Sequence, residues 1–174
     1  MAPRNVCIAV DPSETSQHAL RWAVRSVINP GDKVSLFTVL HPSPESELKS
    51  GVGAVGGGAR TAPVAVKPEA DPKELQDSTV FLEECKQKVV AEGVKADAVG
   101  ATVLVAAAGS SADVGREITH TAEACGCESL VMGSRGLGLG KKAMLSMLGV
   151  GSVSDYVLHH APCNVVLFKD KPSA

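Results

Sequence analysis

The sequence predicts an α/β protein built as a single doubly wound, five-stranded parallel sheet with helices on both faces. Three observations support this prediction. Short apolar runs alternate with amphipathic helical segments, which is typical of strands joined by crossover helices. Apolar residues make up 44% of the chain and aromatic residues only 3%, which favours a helix-covered parallel sheet over an aromatic-rich sandwich. The length of 174 residues fits one domain, residues 1–174, around one core.

The first part of the chain predicts a βαβ unit. Residues 6–10 form a continuous apolar run, as expected for a central strand. Asp11-Pro12-Ser13-Glu14 then opens a helix, because Asp or Ser can cap the first N–H groups and Pro suits a first turn. Asn29-Pro30-Gly31-Asp32 ends that helix, and residues 34–40 form the second strand.

Residues 42–70 predict a flexible insertion and not a second domain. The segment is rich in Gly and Pro and has neither helical nor strand periodicity. It contains the pattern G-x-G-x-x-G at Gly51, Gly53 and Gly56. No apolar run directly precedes this pattern and no helical pattern follows it, so we do not interpret it as a dinucleotide-binding fingerprint.

The remaining chain alternates three more helices with three more strands. A capping-box pattern begins a helix at Asp71, and the strands are predicted at residues 101–108, 130–132 and 164–168. Of the other two helices, one begins near residues 109–113 and the other occupies about residues 152–160. The faces predicted to be buried carry Leu75, Leu82, Cys85 and Val89 in the first helix and Val114, Ile118, Ala122 and Cys125 in the second.

A glycine-rich loop joins the fourth strand to the last helix. It begins at Met132-Gly133-Ser134-Arg135-Gly136 and ends at Gly151-Ser152-Val153-Ser154. Glycines let a backbone approach a ligand closely, and the first turn of a helix presents N–H groups and a dipole that favour an anion. Arg135 and the hydroxyl groups of Ser152 and Ser154 could add charge and hydrogen bonds for a phosphate. In the alternative interpretation, the glycines only form a turn and Ser152 only caps the helix.

Asp11 has two competing interpretations. It could cap the helix that follows, which is a common role for Asp before Pro-Ser-Glu. It could also accept hydrogen bonds from a nucleoside, because ligands of doubly wound sheets bind at the carboxyl ends of the strands. We favour the second role because of the position in the fold. Val39, near the end of the second strand, would supply an apolar wall for the base or belong to the core.

Two motifs at opposite ends of the chain resemble the universal stress protein family, particularly its plant single-domain, ATP-binding members. The first motif runs from Ile8 to Ser16, and the second combines residues 131–136 with residues 151–157. The resemblance covers nearly the whole chain except residues 42–70. It implies an adenine nucleotide alpha hydrolase-like fold with ATP or AMP bound at the switch point of the sheet, and with Mg²⁺ as a companion of the nucleotide.

The resemblance also implies the residues of the nucleotide site, to which the electrostatic argument adds Arg135. The full set is Asp11, Val39, Met132, Gly133, Arg135, Gly136, Gly151, Ser152, Val153 and Ser154. The family pattern G-x2-G-x9-G-S/T is matched except in its spacer, because 14 residues instead of nine separate Gly136 from Gly151. Gly149 could replace Gly151, but only Gly151 precedes a serine. The third strand exits through Gly109-Ser110-Ser111, where the family often has Gly-Asp-Pro.

Together, the residues and the resemblance predict a regulatory protein of the stress response that binds ATP or AMP and switches conformation or assembly with occupancy. The resemblance adds a homodimer formed through the last strand, Asn164–Phe168, whose apolar edge suits such pairing. The alternative is a protein-interaction or chaperone-like module that keeps the fold and binds no nucleotide. The sequence contains neither the G-x4-G-K-S/T pattern of ATP-hydrolysing P-loops nor the G-x-S-x-G pattern of hydrolases, so we expect at most weak ATP hydrolysis.

Charge and cysteine content weigh against other classes of protein. The net charge is −2 without a long run of Lys or Arg, so nucleic acid is not an expected partner. No apolar segment reaches about 20 residues, so we expect no membrane span and a cytoplasmic location, with the nucleus as a further compartment.

Five cysteines, an odd number, favour buried structural thiols over a disulfide framework. His159 and His160 near Cys163 could suggest a metal, but histidines at a helix C-terminus more often interact with its dipole.

Overall fold

Five parallel strands lie within the residues that the computed structural model describes, which are 3–43, 69–134 and 152–169. They are β1 (Asn5–Ala9), β2 (Lys33–Leu40), β3 (Val99–Val105), β4 (Ser129–Gly133) and β5 (Asn164–Phe168). The sheet has the order β3-β2-β1-β4-β5, and each neighbouring pair is parallel. The carboxyl ends of all five strands therefore share one edge, called here the carboxyl edge.

Four α-helices are found in the described part of the chain. They are α1 (Glu14–Ser26), α2 (Pro72–Ala91), α3 (Ser111–Ala124) and α4 (Ser152–His160). The first three begin at a side-chain cap, because Ser13, Asp71 and Ser110 accept hydrogen bonds from N–H groups of the next turn. No helix in this part of the chain is both long and apolar enough to span a membrane.

Each face of the sheet is covered by its own apolar cluster. On the α1/α2 face, Leu20 and Leu82 pack with Ile8 and other strand residues. On the α3/α4 face, Ile118 and Val157 pack with Leu130 and its neighbours. Successive strand residues contribute to opposite clusters, as the period of two in a strand requires. These observations confirm the predicted doubly wound α/β fold.

The structure corrects three details of the predicted elements. Leu75 is 43% exposed, because the first turns of α2 extend beyond the core and its buried face begins only at Leu82. Cys125 is exposed, because it follows α3 as its C-cap and is not part of the buried stripe. The third strand occupies Val99–Val105 and not residues 101–108, because its pairing with β2 stops where β2 stops. A short 3-10 helix, Ala96–Ala98, precedes it and was not predicted.

A hydrogen bond and an ion pair hold the ends of two connecting segments in place. Ser43 N donates a hydrogen bond of 2.7 Å to Glu69 O, so the two described ends of the predicted insertion meet; residues 44–68 lie outside the described part of the chain. At the opposite end of the sheet, the Asp32 carboxylate accepts hydrogen bonds from the Arg4 guanidinium and from Asn29 N at 2.8 Å. This ion pair fastens the turn between α1 and β2 to the start of β1.

The connections reverse direction at the centre of the sheet. From β1 the chain moves outward to β2 and then to β3, and β4 returns to the other side of β1. In doubly wound sheets, the crevice at such a reversal is where ligands bind. The carboxyl ends of β1 and β4 therefore mark the expected position of a site.

Candidate functional site

The strand register aligns three candidate positions along the carboxyl edge. Ala9 of β1 pairs with Phe37 of β2 and with Met132 of β4. Two residues further along these strands are Asp11, Val39 and Ser134. Because neighbouring strands lie about 4.8 Å apart, the three positions span roughly 10 Å. The register thus brings Asp11 close to the start of the glycine-rich loop.

Asp11 forms a turn that supports the cap of α1 without being the cap. Its Oδ1 atom accepts hydrogen bonds from Ser13 N, at 2.9 Å, and from Ser13 Oγ. Ser13 is the residue that caps the helix, and Ser16 Oγ receives the Asp11 N–H at 2.9 Å. The N-cap interpretation of Asp11 is therefore wrong, because the side chain two residues later takes that role.

The second carboxylate oxygen of Asp11 is buried and has no hydrogen-bond partner among the described residues. The same is true of Nδ1 of His41, which directly follows β2. Buried polar atoms without partners are uncommon in folded proteins because leaving them unsatisfied costs free energy. Both atoms here belong to residues at the carboxyl edge of adjacent strands. Sequence reasoning missed His41, and only the burial of its ring nitrogen in the structure draws attention to it.

The end of β4 is fastened to the start of α4. Gly133 pairs with Phe168, and the next residue, Ser134, donates its N–H to Phe168 O at 2.8 Å. Ser154 Oγ donates to Ser134 O at 3.2 Å, and this serine is only 3% exposed. The Ser154 hydroxyl is thus engaged in holding the helix to the strand. This bond brings the first turn of α4 against the end of β4.

The first turns of α3 and α4 also meet at this edge. Ser152 Oγ donates a hydrogen bond of 2.8 Å to Ser111 Oγ, and both residues open their helices. Ser152 is exposed, whereas Val153 beside it is 2% exposed and packs into the core. Two positive helix ends therefore lie side by side, which creates an environment suited to negative charge.

Close packing of α3 on α4 fixes the position of the second helix. Gly115 of α3 lies against the Tyr156 ring, so that a Cβ atom at position 115 would approach Tyr156 Cδ1 to 2.6 Å. The same ring stacks on His160, with centroids 4.0 Å apart. The sequence signal for the helix contact is a glycine on the buried face of an amphipathic helix. Its partner could not be inferred from the sequence.

The other predicted site residues have different surroundings. Val39 is partly buried against the α3/α4 cluster, and Met132 is fully buried within it. Arg135, Gly136 and Gly151 lie outside the described residues. His159 and His160 are exposed, and each ring Nδ1 faces the backbone carbonyl four residues earlier. Among the described residues, no three or more His, Cys, Asp or Glu side chains are grouped to hold a metal ion.

The sequence matches known proteins over almost its whole length. The model of the universal stress protein family matches residues 3–169. The Arabidopsis thaliana universal stress proteins PHOS32 and PHOS34 are each 34% identical to this chain over 97% of it. The chain spans 65% of the length of the first relative and 62% of the second, so both relatives are longer.

Solved structures of low sequence identity share the fold. Hypothetical protein MJ0577 is 21% identical, with a TM-score of 0.67 and coverage of 99% of this chain and 100% of that one. A universal stress protein in complex with cAMP is 18% identical, with a TM-score of 0.61 and coverage of 98% and 100%. UspA from Lactobacillus plantarum is 20% identical, with a TM-score of 0.59 and coverage of 97% and 99%. The solved structures show the fold, and the match of the family model over residues 3–169 establishes that the chain belongs to the universal stress protein family.

Proposed function

We propose that this protein binds an adenine nucleotide, ATP or AMP, at the carboxyl edge of the sheet and acts in the stress response through that binding. The observation that carries the proposal is the pair of buried, unpartnered polar atoms, Asp11 Oδ2 and His41 Nδ1, at the ends of neighbouring strands in the described part of the chain. Such atoms are satisfied when a ligand supplies the missing hydrogen bonds. The family membership and the cAMP complex of a protein with this fold support a nucleotide as that ligand.

The nucleoside end would lie over β1 and β2. Asp11 Oδ2 is an acceptor, so it suits a ribose hydroxyl or an amino group of the base. His41 Nδ1 adds a second polar contact, as donor or acceptor according to its tautomer. Val39, near the end of β2, offers an apolar surface to the base, and the Met132 side chain belongs to the core cluster against which Val39 packs. This arrangement combines an apolar wall with a few polar groups, as small-ligand sites do.

The phosphate end would lie over β4 and the helix starts that follow. The positive ends of α3 and α4 meet through Ser111 and Ser152, which favours an anion there. We include Gly133, Arg135, Gly136, Gly151 and the first turn of α4, residues 152–154, in this half of the site. Mg²⁺ would reach the site on the phosphates of the nucleotide, as it commonly does in nucleotide sites.

Occupancy would act on the protein through the same elements. Ser154 and Ser134 connect the helix start to the end of β4, and Ser134 in turn contacts β5 at Phe168. A ligand that pulls on the start of α4 therefore acts on the edge strand of the sheet. We propose that Asn164–Phe168 is a homodimer interface and that nucleotide binding alters this assembly or its protein partners. Among the described strands, β5 stands at the end of the sheet order and pairs with β4 alone, which suits its outer edge to such pairing.

The substitution Asp11→Asn tests the nucleoside end. Asparagine keeps an acceptor for the Ser13 N–H, but it removes the charge and can place an NH₂ group where the unpartnered oxygen lies. A hydrogen bond to a charged group contributes about 1.5–3 kcal/mol, so we expect Kd for ATP or AMP to rise roughly 10- to 150-fold. Calorimetric titration measures this change. The matched control is Asp97→Asn, an exposed carboxylate in the 3-10 helix before β3.

The outcomes separate the proposal from its rival. An unchanged Kd in Asp11→Asn would refute the assigned role of this carboxylate. A wild-type protein that ATP, AMP and cAMP all fail to bind or stabilise against heat would contradict nucleotide binding and favour the interaction or chaperone-like module. The double variant Gly136→Val with Gly151→Val should abolish binding, and retained affinity would exclude the glycine loop as the phosphate site.

A further inference from the structure

Three of the five cysteines lie near one another in the fold, and two of them, Cys127 and Cys163, are at the end of the sheet opposite the candidate nucleotide site. Cys7 belongs to β1, Cys127 precedes β4 and Cys163 directly precedes β5. All three contribute to the apolar cluster on the α3/α4 face. The sequence places these residues far apart, and the predicted role for each was that of an inert structural thiol.

The Cys127 sulfur interacts with the thiols of Cys7 and Cys163, which belong to the same apolar cluster, and with the backbone N–H groups of Cys7 and Ser129. These donors, with the Cys7 thiol contributing most, lower the pKa of Cys127 to about 7 in spite of its burial. Burial raises the pKa of Cys163 to about 11, and its bond to Cys127 raises the pKa of Cys7. The lowered pKa favours the thiolate on Cys127 over the other two cysteines, and the thiolate is the nucleophilic form of a cysteine.

The strand register places Cys163 within disulfide distance of Cys127. Asn164 pairs with Ser129, and Asn164 N donates to Glu128 O at 3.3 Å, so the two chain segments remain adjacent one residue earlier. Strand spacing and rise then put the Cα atoms of Cys127 and Cys163 roughly 6 Å apart. Disulfides span about 4.4–6.8 Å between Cα atoms.

Cys7 is the less suitable partner for Cys127. It lies within β1, which is paired on both sides, and its side chain is completely buried. Cys163 lies in the turn before an edge strand and is half-buried, so its sulfur is both more accessible and less constrained. Freedom to move toward the second sulfur favours Cys163 as the residue that completes a disulfide.

We propose that Cys127 and Cys163 form a peroxide-sensitive dithiol, in which Cys127 reacts first and Cys163 closes a reversible disulfide. The oxidant is a hydroperoxide, with hydrogen peroxide as the simplest member. The Cys127 thiolate attacks one peroxide oxygen, the O–O bond breaks, and Cys127 sulfenic acid and hydroxide form. The hydroxide takes the proton of Cys163, whose thiolate attacks the Cys127 sulfur and displaces its oxygen as a second hydroxide. The two sulfurs together lose two electrons, which the peroxide oxygens gain.

The test is peptide mapping of the full chain after exposure to a small excess of hydrogen peroxide. The expected product is one disulfide between the peptides of Cys127 and Cys163, with a loss of about 2 Da that dithiothreitol reverses. Cys125→Ser is the matched control, because this exposed thiol lies two residues from Cys127 and outside the cluster. The yield of the Cys127–Cys163 disulfide in this variant should equal that of the wild-type chain. In Cys163→Ser, a dimedone adduct should accumulate on Cys127 and no disulfide should form.

Several results would overturn the proposal. A disulfide between Cys7 and Cys127 would exclude Cys163 as the partner. Oxidation that begins at Cys125, or a wild-type chain that forms no disulfide under these conditions, would exclude Cys127 as the reactive thiol. The mapping uses the wild-type chain, so its outcome does not depend on the folding of a variant. The nucleotide proposal is unaffected by any of these results, because Cys127 and Cys163 precede the amino ends of β4 and β5, opposite the carboxyl edge.

Discussion

Replacing Gly115 by alanine tests how closely α3 packs on α4 through the Tyr156 ring. In most helix interiors this substitution stabilises a protein by about 1 kcal/mol, because alanine is the better helix former. Here the new Cβ atom would lie 2.6 Å from Tyr156 Cδ1 and 2.9 Å from Cγ. Overpacking of this kind costs about 1–3 kcal/mol. We therefore expect a net destabilisation of roughly 0–2 kcal/mol, opposite in sign to the ordinary effect.

Urea unfolding of four proteins measures this effect as a double-mutant cycle. In the Tyr156→Ala background the ring is absent, so Gly115→Ala should stabilise by about 1 kcal/mol. The coupling between the two positions should then be about 1–3 kcal/mol. Gly100→Ala is the control for alanine substitution itself, since its Cβ would meet only Val34 O at 4.0 Å, and we expect a small stabilisation. Stabilisation by Gly115→Ala in the wild-type background would refute the packing argument.

Two further predictions concern the Asp32 carboxylate and the edge strand β5. The Arg4 hydrogen bond, with backbone N–H groups of Asn29 and Arg4, lowers the pKa of Asp32 below its ordinary 3.8. The ionised carboxylate thus stabilises the fold above about pH 4, and this stabilisation is lost as the pH falls through the folded-state pKa of Asp32. In acid titrations, the free energy of unfolding should fall less in Asp32→Asn than in the wild-type protein. An identical fall in both proteins would contradict the prediction. The substitution Val166→Lys in β5 should convert the proposed dimer into a monomer, as measured by sedimentation velocity. Val80 on α2 is 55% exposed, so Val80→Lys is the control and should not change the assembly. A dimer that persists in Val166→Lys would reject the β5 interface.

Local patterns in the sequence were sufficient to predict the fold. Residues 152–160 and 164–168 have the predicted bounds, because a helix that ends at Ala161-Pro162 and an apolar run beyond it are both local signals. Leu75 shows where this reasoning fails. Helical periodicity indicates which face of α2 is apolar, but only the tertiary structure determines how far along the sheet that face packs.

The place of Asp11 in the sheet was predictable from the sequence, whereas its contacts were not. Fold topology placed Asp11 at the carboxyl edge, and the register supports that placement. The sequence could not predict which atoms form hydrogen bonds, because the burial of the unpartnered Asp11 oxygen comes from the tertiary structure and the Ser154 hydroxyl bonds to a carbonyl 20 residues away. The cysteine cluster required the register of β1, β4 and β5, since β1 and β4 join residues more than 100 positions apart.

The hydrogen bond between Ser43 and Glu69 has a consequence for how the chain tolerates change in length. It joins the backbone that follows β2 to the backbone that precedes α2, so the two ends of this connection lie together. The entropy of closing a loop grows only with the logarithm of its length, about 0.6 kcal/mol for each doubling. Insertions and deletions between these two anchors therefore cost little stability. We therefore expect sequence added between Ser43 and Glu69 to leave the sheet and its carboxyl edge unchanged.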